Sequence, residues 1–187
     1  MKKLALLASG TGSNVRNIIQ YFEESRDVLV DCVIVNRKEA GALEHANAGN
    51  VDGFVFYKDD FNNNTVLDLL RQRGVTHIIL AGFLLKIPEG IINAYPKEII
   101  NVHPSLLPKY GGAGMYGMNV HKAVVAAGDT ESGITVHLVN EVYDDGEVLA
   151  QFKVEIDKDN NPEDVAAKVQ ALEQLHFPSV IEKYLNK

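Results

Sequence analysis

Short apolar runs alternate with amphipathic segments along most of this chain, and this alternation constrains the fold more than any other feature. The apolar runs have the length of buried strands, whereas the segments between them place apolar residues at helical spacing. The predicted strands cover residues 3–8, 29–35, 54–57, 76–81, 98–102, 133–139 and 148–156. The predicted helices cover residues 15–24, 40–48, 65–72, 89–94, 120–127 and 162–184.

Alternating strands and helices predict an α/β fold: a doubly wound, mostly parallel sheet with helices on both faces. A polar turn joins the last two strands, so we expect them to form an antiparallel C-terminal edge. No repeat or low-complexity linker interrupts the pattern, and we predict a single domain over residues 1–187. Ligands of such folds bind at the carboxyl ends of the strands.

Composition and charge limit the binding partners and the cellular compartment that we expect for this protein. The chain is 46% hydrophobic and 23% charged, as in globular proteins, and no segment has the length of a membrane span. Its formal net charge of −7 argues against an extended nucleic-acid partner but leaves room for a small phosphorylated metabolite. The single cysteine, Cys32, excludes an internal disulfide, and no histidines have metal-ligand spacing. We therefore expect a cytoplasmic protein that needs no metal.

A glycine loop, Ser9-Gly10-Thr11-Gly12-Ser13-Asn14, follows the first predicted strand and precedes the first helix. Free backbone N–H groups and the helix dipole make such a position an anion site. It is not a dinucleotide fingerprint, because the third glycine would fall at Val15, and no Gly-Lys-Ser/Thr follows it as in a P-loop. Two interpretations remain: a site for a small phosphate, which we favour, and a tight turn in which Ser13 or Asn14 caps the helix.

Asn101 and His103 stand two residues apart at the end of a predicted strand, within Ile100–Pro108. Side chains at i and i+2 of a strand point to the same side, and Pro104 then favours an exit from regular structure. An amide and an imidazole aimed at one point can stabilise a carbonyl oxygen as it gains charge. With an acid nearby, the set becomes a centre for acyl-type transfer. From the residues alone, catalytic and structural roles for His103 remain equally open.

Two further segments are open to more than one interpretation. The turn Asp144–Gly146 carries two adjacent acids, which are usually solvated, although one of them can instead turn inward toward an imidazole. Sequence separation does not decide whether Asp144 reaches His103. The glycine-rich stretch Gly111–Gly117 is either a mobile cover or a plain surface loop. His137 lies inside an apolar strand and is predicted to belong to the core or to support a catalytic residue. Structural or surface roles are predicted for His45 and His77. His121 and His176 lie on predicted helices, where a structural role is favoured over lining a pocket.

Taken together, several segments resemble the folate-dependent phosphoribosylglycinamide formyltransferases of purine biosynthesis, and the resemblance runs nearly end to end. The matching segments are Ala8–Asn14, Leu80–Phe83, Asn101–Tyr110, Ser132–His137 and Asp144–Gly146. The Asn-x-His-Pro-Ser-Leu-Leu-Pro signature that begins at Asn101 is specific to formyl-tetrahydrofolate enzymes. It does not by itself select the acceptor.

The resemblance implies transfer of a formyl group from 10-formyltetrahydrofolate to the amine of glycinamide ribonucleotide, with no metal, nucleic acid or membrane involved. It implies a catalytic triad of Asn101, His103 and Asp144, with His137 in support. The implied contacts to glycinamide ribonucleotide are Gly12, Ser13 and Asn14 to its phosphate and Glu173 to its glycinamide part. The implied folate contacts are Asn64, Leu84, Leu85, Lys86, Ile87, Asn101, Val139, Asn140 and Asp144. The resemblance thus implies that the residues up to about 100 form a Rossmann-like, phosphate-binding part of the domain. The remaining residues would form the folate-binding and catalytic part.

Three positions depart from the family pattern. Many relatives have Met-Arg where this chain has Leu84-Leu85, some have an arginine at the position of Asn64, and the stretch Gly111–Gly117 is longer than usual. The closest alternative activity is that of a 10-formyltetrahydrofolate hydrolase, in which water replaces the amine; Glu173 and the complete glycine loop favour the amine. A methionyl-tRNA formyltransferase would need a basic face, which this acidic chain does not indicate. A binding module without catalytic activity would not need the triad, whose three positions are all filled here. Monomer and homodimer remain equally open.

Overall fold

The computed structural model describes residues 1–187, which form seven strands and seven helices. Strands and helices alternate except that two helices follow the third strand and the last two strands are consecutive. The strands are β1 (Lys2–Ala8), β2 (Val28–Val35), β3 (Asp52–Val55), β4 (His77–Leu80), β5 (Ile99–His103), β6 (Glu131–Leu138) and β7 (Val148–Glu155). The helices are α1 (Ser13–Phe22), α2 (Ala42–Ala48), α3 (Lys58–Asn62), α4 (Thr65–Arg73), α5 (Glu89–Ala94), α6 (Met118–Ala127) and α7 (Pro162–Leu185).

The strands form one sheet in the order β3-β2-β1-β4-β5-β6-β7. β1 pairs in parallel with β2 and β4, β2 pairs in parallel with β3, and β6 pairs antiparallel with β7. The α/β fold with a mostly parallel sheet and an antiparallel C-terminal edge is therefore confirmed. None of the helices combines the length and the apolar character needed to cross a membrane.

The chain packs as two compact units, residues 1–100 and 101–187. In the first, β1 is central, and Leu4, Leu6 and Leu7 are fully buried. Each such side chain contributes about 1.5–3 kcal/mol by leaving water. The second unit has its own core, in which α7 packs against β6 and β7 and Phe177 is fully buried.

The helix ends follow local rules, with two corrections to the sequence prediction. Asn161 begins α7 by accepting from the backbone N–H of Asp164, and Pro162 occupies the first turn as expected. α3 was not predicted, because it has five residues and is mostly polar; the backbone N–H of Tyr57 donates to Asp60 Oδ2 at its start. The suggested side-chain cap of α1 was wrong, since Gly12 is the N-cap residue and no side chain caps this helix.

A buried histidine on β4 makes the stability of the chain depend on pH. His77 is 6% exposed, and burial, followed by the charge of Lys2, lowers its pKa from 6.5 to about 4. Between these two values only the unfolded chain takes up the proton, so the free energy of unfolding falls as the pH falls from 6.5 to 4. We expect His77 to account for on the order of 3 kcal/mol of that loss. The free energy of unfolding, measured with urea across this pH range, should depend less on pH in His77→Gln than in wild type. The same pH dependence in both proteins would contradict the assignment.

Candidate active site

β5 brings Asn101 and His103 to one side of the sheet, because alternate residues of a strand point the same way. The strand is buried around them: Ile99 and Ile100 are almost completely inaccessible, and His103 is 4% exposed. Asn101 is half-buried. The structure thus places the predicted pair together at the end of a strand, in a poorly solvated environment where hydrogen bonds to a ligand are strong.

Both ring nitrogens of His103 face oxygen acceptors. Nε2 lies 2.7 Å from the carbonyl oxygen of Tyr110, and Nδ1 lies 3.4 Å from Asp144 Oδ1. A backbone carbonyl can only accept, so Nε2 carries the hydrogen of that bond. The protonated imidazole also carries a hydrogen on Nδ1, which faces the acid and is available to a substrate oxygen.

Asp144 comes to His103 from the turn between β6 and β7. The residue adopts the left-handed backbone conformation (φ 55°), and the backbone N–H of Gly112 donates to its Oδ2 over 2.8 Å. Its side chain is 12% exposed, whereas the neighbouring Asp145 is exposed. Of the two acids that the sequence left open, Asp144 is therefore the one turned inward.

His137 orients the amide of Asn101. Its Nδ1 lies 2.9 Å from the carbonyl oxygen of Leu138 and donates to it, which leaves Nε2 without a hydrogen. Asn101 Nδ2 lies 3.0 Å from that Nε2 and donates to it. Burial lowers the pKa of His137, in keeping with a neutral ring that accepts from Asn101. The Nε2 atom is 3.7 Å from Asp144 Oδ1, too far for a hydrogen bond.

A network from β6 and β7 holds the loop that follows His103. Thr135 Oγ1 donates to the carbonyl of Ser105 over 2.7 Å and accepts from the backbone N–H of Leu107 over 3.0 Å. Gln151 Nε2 donates to the carbonyl of Leu107 over 2.9 Å. Sequence reasoning missed this network and the Tyr110 carbonyl. Only the polar Thr135 within an apolar strand signalled it, since a backbone carbonyl has no sequence signature.

The glycine loop lies in the first unit and is held at several points. Gly12 has φ 81°, and a Cβ there would lie 2.5 Å from Ala42 Cα, so only glycine fits. Ser9 Oγ accepts from the backbone N–H of Leu84 over 2.9 Å, and Arg37 Nε donates to the Ser9 carbonyl. α1 begins within the loop, at Ser13, and no acidic residue of its first turn neutralises its positive end.

The predicted folate and substrate contacts lie on several elements. Leu84–Ile87 connect β4 and α5, with Leu84 exposed and Ile87 buried. Asn64 precedes α4 in the left-handed conformation (φ 68°). Val139 and Asn140 follow β6, and Glu173 is half-buried on α7.

Three other histidines lie on β4, α6 and α7. His176 on α7 stacks on Phe152, with ring centroids 3.8 Å apart. His121 is buried on α6, where burial lowers its pKa, and His77 Nδ1 lies 3.0 Å from Thr76 Oγ1. No group of three or more His, Cys, Asp or Glu side chains is arranged to hold a metal ion.

An amide, an imidazole and a carboxylate therefore meet at the end of β5, on an α/β fold. The amide and Nδ1–H can stabilise an oxygen that gains charge, and the carboxylate can take up a proton. This combination defines a protein of the acyl-transfer class. More narrowly, the chain belongs to the formyl transferase family, whose model matches residues 2–181. Membership of this family implies a folate-derived formyl donor.

Individual relatives agree with this placement. The chain is 39% identical over 189 residues to the chloroplastic phosphoribosylglycinamide formyltransferase of Arabidopsis thaliana, covering 96% of this chain and 64% of that protein. It is 35% identical to the phosphoribosylglycinamide formyltransferase of Bacillus subtilis (strain 168), over 99% of this chain and 95% of that one. The crystal structure of glycinamide ribonucleotide transformylase 1 from Geobacillus kaustophilus is similar with a TM-score of 0.90, at 32% identity and 99% coverage of both chains.

Proposed function

We propose that this chain transfers the formyl group of 10-formyltetrahydrofolate to the amine of glycinamide ribonucleotide, a step of de novo purine biosynthesis. The observation that carries the proposal is the convergence of Asn101, His103 Nδ1 and Asp144, with the acid 3.4 Å from the imidazole. The names of the relatives with 35–39% identity support the choice of reaction. The partners are two small molecules, and the triad requires no metal.

In the proposed reaction, the free amine attacks the formyl carbon and a tetrahedral intermediate forms. Asn101 donates one Nδ2 hydrogen to His137, which leaves the second for the oxygen of this intermediate. His103 donates from Nδ1 to the same oxygen. Donors of this kind contribute about 2.7–4 kcal/mol each to the stability of a transition state.

Asp144 handles the proton of the attacking amine. Its Oδ1 lies on the Nδ1 side of His103, and its Oδ2 is bound to the backbone N–H of Gly112. We assign to Oδ1 the acceptance of the amine proton, directly or through water, and its return to the folate nitrogen as the C–N bond breaks. The bond to Gly112 keeps the carboxylate in place during this exchange.

The first unit supplies the contacts to the phosphate in this proposal. Gly12, Ser13 and Asn14 offer backbone N–H groups at the positive end of α1, where a phosphate is stabilised. Glu173 is assigned to the glycinamide part of the substrate. The folate contacts are assigned to Asn64, Leu84–Ile87, Val139 and Asn140, largely through backbone groups.

We further assign the Ser13 hydroxyl to the phosphate, beside the backbone N–H groups. Ser13→Ala should therefore raise the KM for glycinamide ribonucleotide about tenfold, because it removes the hydrogen bond of that hydroxyl to a charged group. The KM for 10-formyltetrahydrofolate should stay within about twofold. The dephosphorylated substrate, glycinamide ribonucleoside, is the control, since wild type and variant should use it equally poorly. An unchanged KM for the phosphorylated substrate would count against the phosphate site.

The proposed function is tested by the absorbance change on consumption of 10-formyltetrahydrofolate, measured with and without glycinamide ribonucleotide. Consumption only in the presence of the amine is the expected result. Consumption with water alone, unaffected by the amine, would instead identify a hydrolase. No consumption under either condition would overturn the assignment of formyl transfer.

A further inference from the structure

Tyr110 connects His103 to an acid that the proposed chemistry does not use. Its carbonyl oxygen lies 2.7 Å from His103 Nε2, and its hydroxyl donates to Asp129 Oδ2 over 2.9 Å. We propose that Asp129 is a positioning residue for the transfer: by holding the Tyr110 ring, it fixes the carbonyl that orients the His103 imidazole. The kinetic part of this inference rests on the proposed function, whereas its structural part does not.

Asp129 is itself held in a defined place. Gly128 ends α6 in the left-handed conformation (φ 67°), and the backbone N–H of Asp129 donates to the carbonyl of Val124 over 3.3 Å. The Tyr110 hydroxyl, followed by the Lys109 ammonium, lowers the pKa of Asp129. The group is therefore a carboxylate at neutral pH and can only accept. Because Asp129 directly follows a helix, its carboxylate has a defined position from which it can hold the Tyr110 side chain.

The backbone of Tyr110 needs such an anchor. Its φ of 55° lies in the left-handed region, which is unfavourable for a residue with a Cβ and persists only where surrounding contacts impose it. On one side, Ser105 Oγ, which is fully buried, donates to the carbonyl of Lys109 over 2.6 Å. On the other side, the backbone N–H of Gly112 is bound to Asp144. The Tyr110 ring provides the third point that sets the direction of its carbonyl.

Open space adjoins this ring. A partly open pocket of about 150 Å³ is lined among others by Leu106, Val124, Ser132 and Gln151 together with Tyr110 and Asp129. Because this space gives the ring room to move, loss of the hydroxyl bond releases it. The carbonyl then turns away from Nε2, and the imidazole loses its fixed orientation toward the reacting oxygen.

Lys109 offers a matched control. Its ammonium also pairs with Asp129, over 3.2 Å, but the lysine side chain is 68% exposed. An exposed ion pair of this kind contributes little, and it does not touch the Tyr110 carbonyl. Lys109→Ala thus removes a neighbour of Asp129 while leaving the Tyr110–Asp129 bond intact.

The test compares Asp129→Ala, Tyr110→Phe, the double variant and Lys109→Ala with wild type. We expect kcat to fall about tenfold in each single variant, with both KM values within twofold. The double variant should be no slower than the slower single one, since both remove the same hydrogen bond. Lys109→Ala should keep the wild-type kcat. Circular dichroism and thermal unfolding establish that each variant folds, and Tyr110→Phe serves as the test by itself if Asp129→Ala fails to fold.

A second readout is independent of turnover. The Nε2–H proton of His103, assigned by its loss in His103→Gln, should give a protected ¹H–¹⁵N signal in wild type and Lys109→Ala. Exchange with water should broaden or remove it in Asp129→Ala and Tyr110→Phe. A retained signal in folded variants with kcat within twofold of wild type would overturn the proposal. If the chain consumes no 10-formyltetrahydrofolate at all, the proposed function fails, and this signal still decides whether Asp129 positions His103.

Discussion

Replacing Asp144 by asparagine is expected to lower kcat by about 10²–10⁴-fold while changing the KM values much less. The carboxylate has one oxygen 3.4 Å from His103 Nδ1 and the other on the backbone N–H of Gly112, at 2.8 Å. Asparagine has the same shape, but one of its two positions becomes an NH₂ group. In one orientation that NH₂ meets the backbone N–H of Gly112, and in the other it replaces the oxygen that faces His103 Nδ1. In both orientations the carboxylate that accepts the amine proton is lost.

Asp145→Asn is the matched control for this prediction. The two acids are neighbours in the same turn, but Asp145 is exposed and Asp144 is turned toward His103. We expect the rate of Asp145→Asn to stay within about twofold of wild type, since substitutions of exposed groups rarely matter. Steady-state kinetics with both substrates varied separates kcat from KM. Equal losses in kcat and in substrate affinity would assign Asp144 to binding and contradict its role in proton transfer.

Gly133→Ala is expected to destabilise the second unit by about 3 kcal/mol, near the upper end of the cost of overpacking. A Cβ at this position in β6 would lie 2.0 Å from the carbonyl oxygen of Phe152 on β7. Backbone on a paired strand cannot move aside as a flexible side chain can, so the β6–β7 ladder would have to separate locally. Thermal unfolding should show a midpoint lower by roughly 6–12 °C.

Gly90→Ala provides the opposite case with the same chemical change. Gly90 lies in α5, and the nearest atom to an added Cβ there, Asn64 Oδ1, is 3.7 Å away. Alanine is favoured over glycine inside helices, so this variant should be as stable as wild type or more stable, by up to about 1 kcal/mol. A Gly133→Ala protein that unfolds at the wild-type temperature would show that β6 and β7 tolerate a wider spacing.

Local patterns predicted the parts of the site that depend on one element. The pairing of Asn101 and His103 follows from strand alternation, which acts over two residues and needs no information from elsewhere. The glycine loop before α1 is equally local, since Gly12 has the positive φ that its position requires. By contrast, α3 was missed because five mostly polar residues carry no periodic signal, and the structure alone shows the bond from Tyr57 to Asp60 that starts it.

Other parts of the site had no local signature. Tyr110 and Gly112 act through a backbone carbonyl and a backbone N–H, which every residue other than proline possesses. Asp129 looks like an ordinary acid after a helix, and its bond to the Tyr110 hydroxyl depends on where the loop returns. The tautomer of His137, in which Nδ1 donates to the Leu138 carbonyl and Nε2 accepts from Asn101, is set by the groups around the buried ring.

The sequence by itself determined the alternation of strands and helices, and with it the fold class, the strand end that bears Asn101 and His103, and the loop before α1. Each of these follows from periodicity or backbone conformation over a few residues. The tertiary structure decided that Asp144 and not Asp145 meets His103, and that the Tyr110 carbonyl orients the imidazole by accepting from Nε2. The first contact joins a strand end to a distant turn, and the second spans a separation of seven residues within the loop that follows His103. Their distances depend on the pairing of β6 with β7 and on the conformations of the connecting loops, which no local pattern specifies.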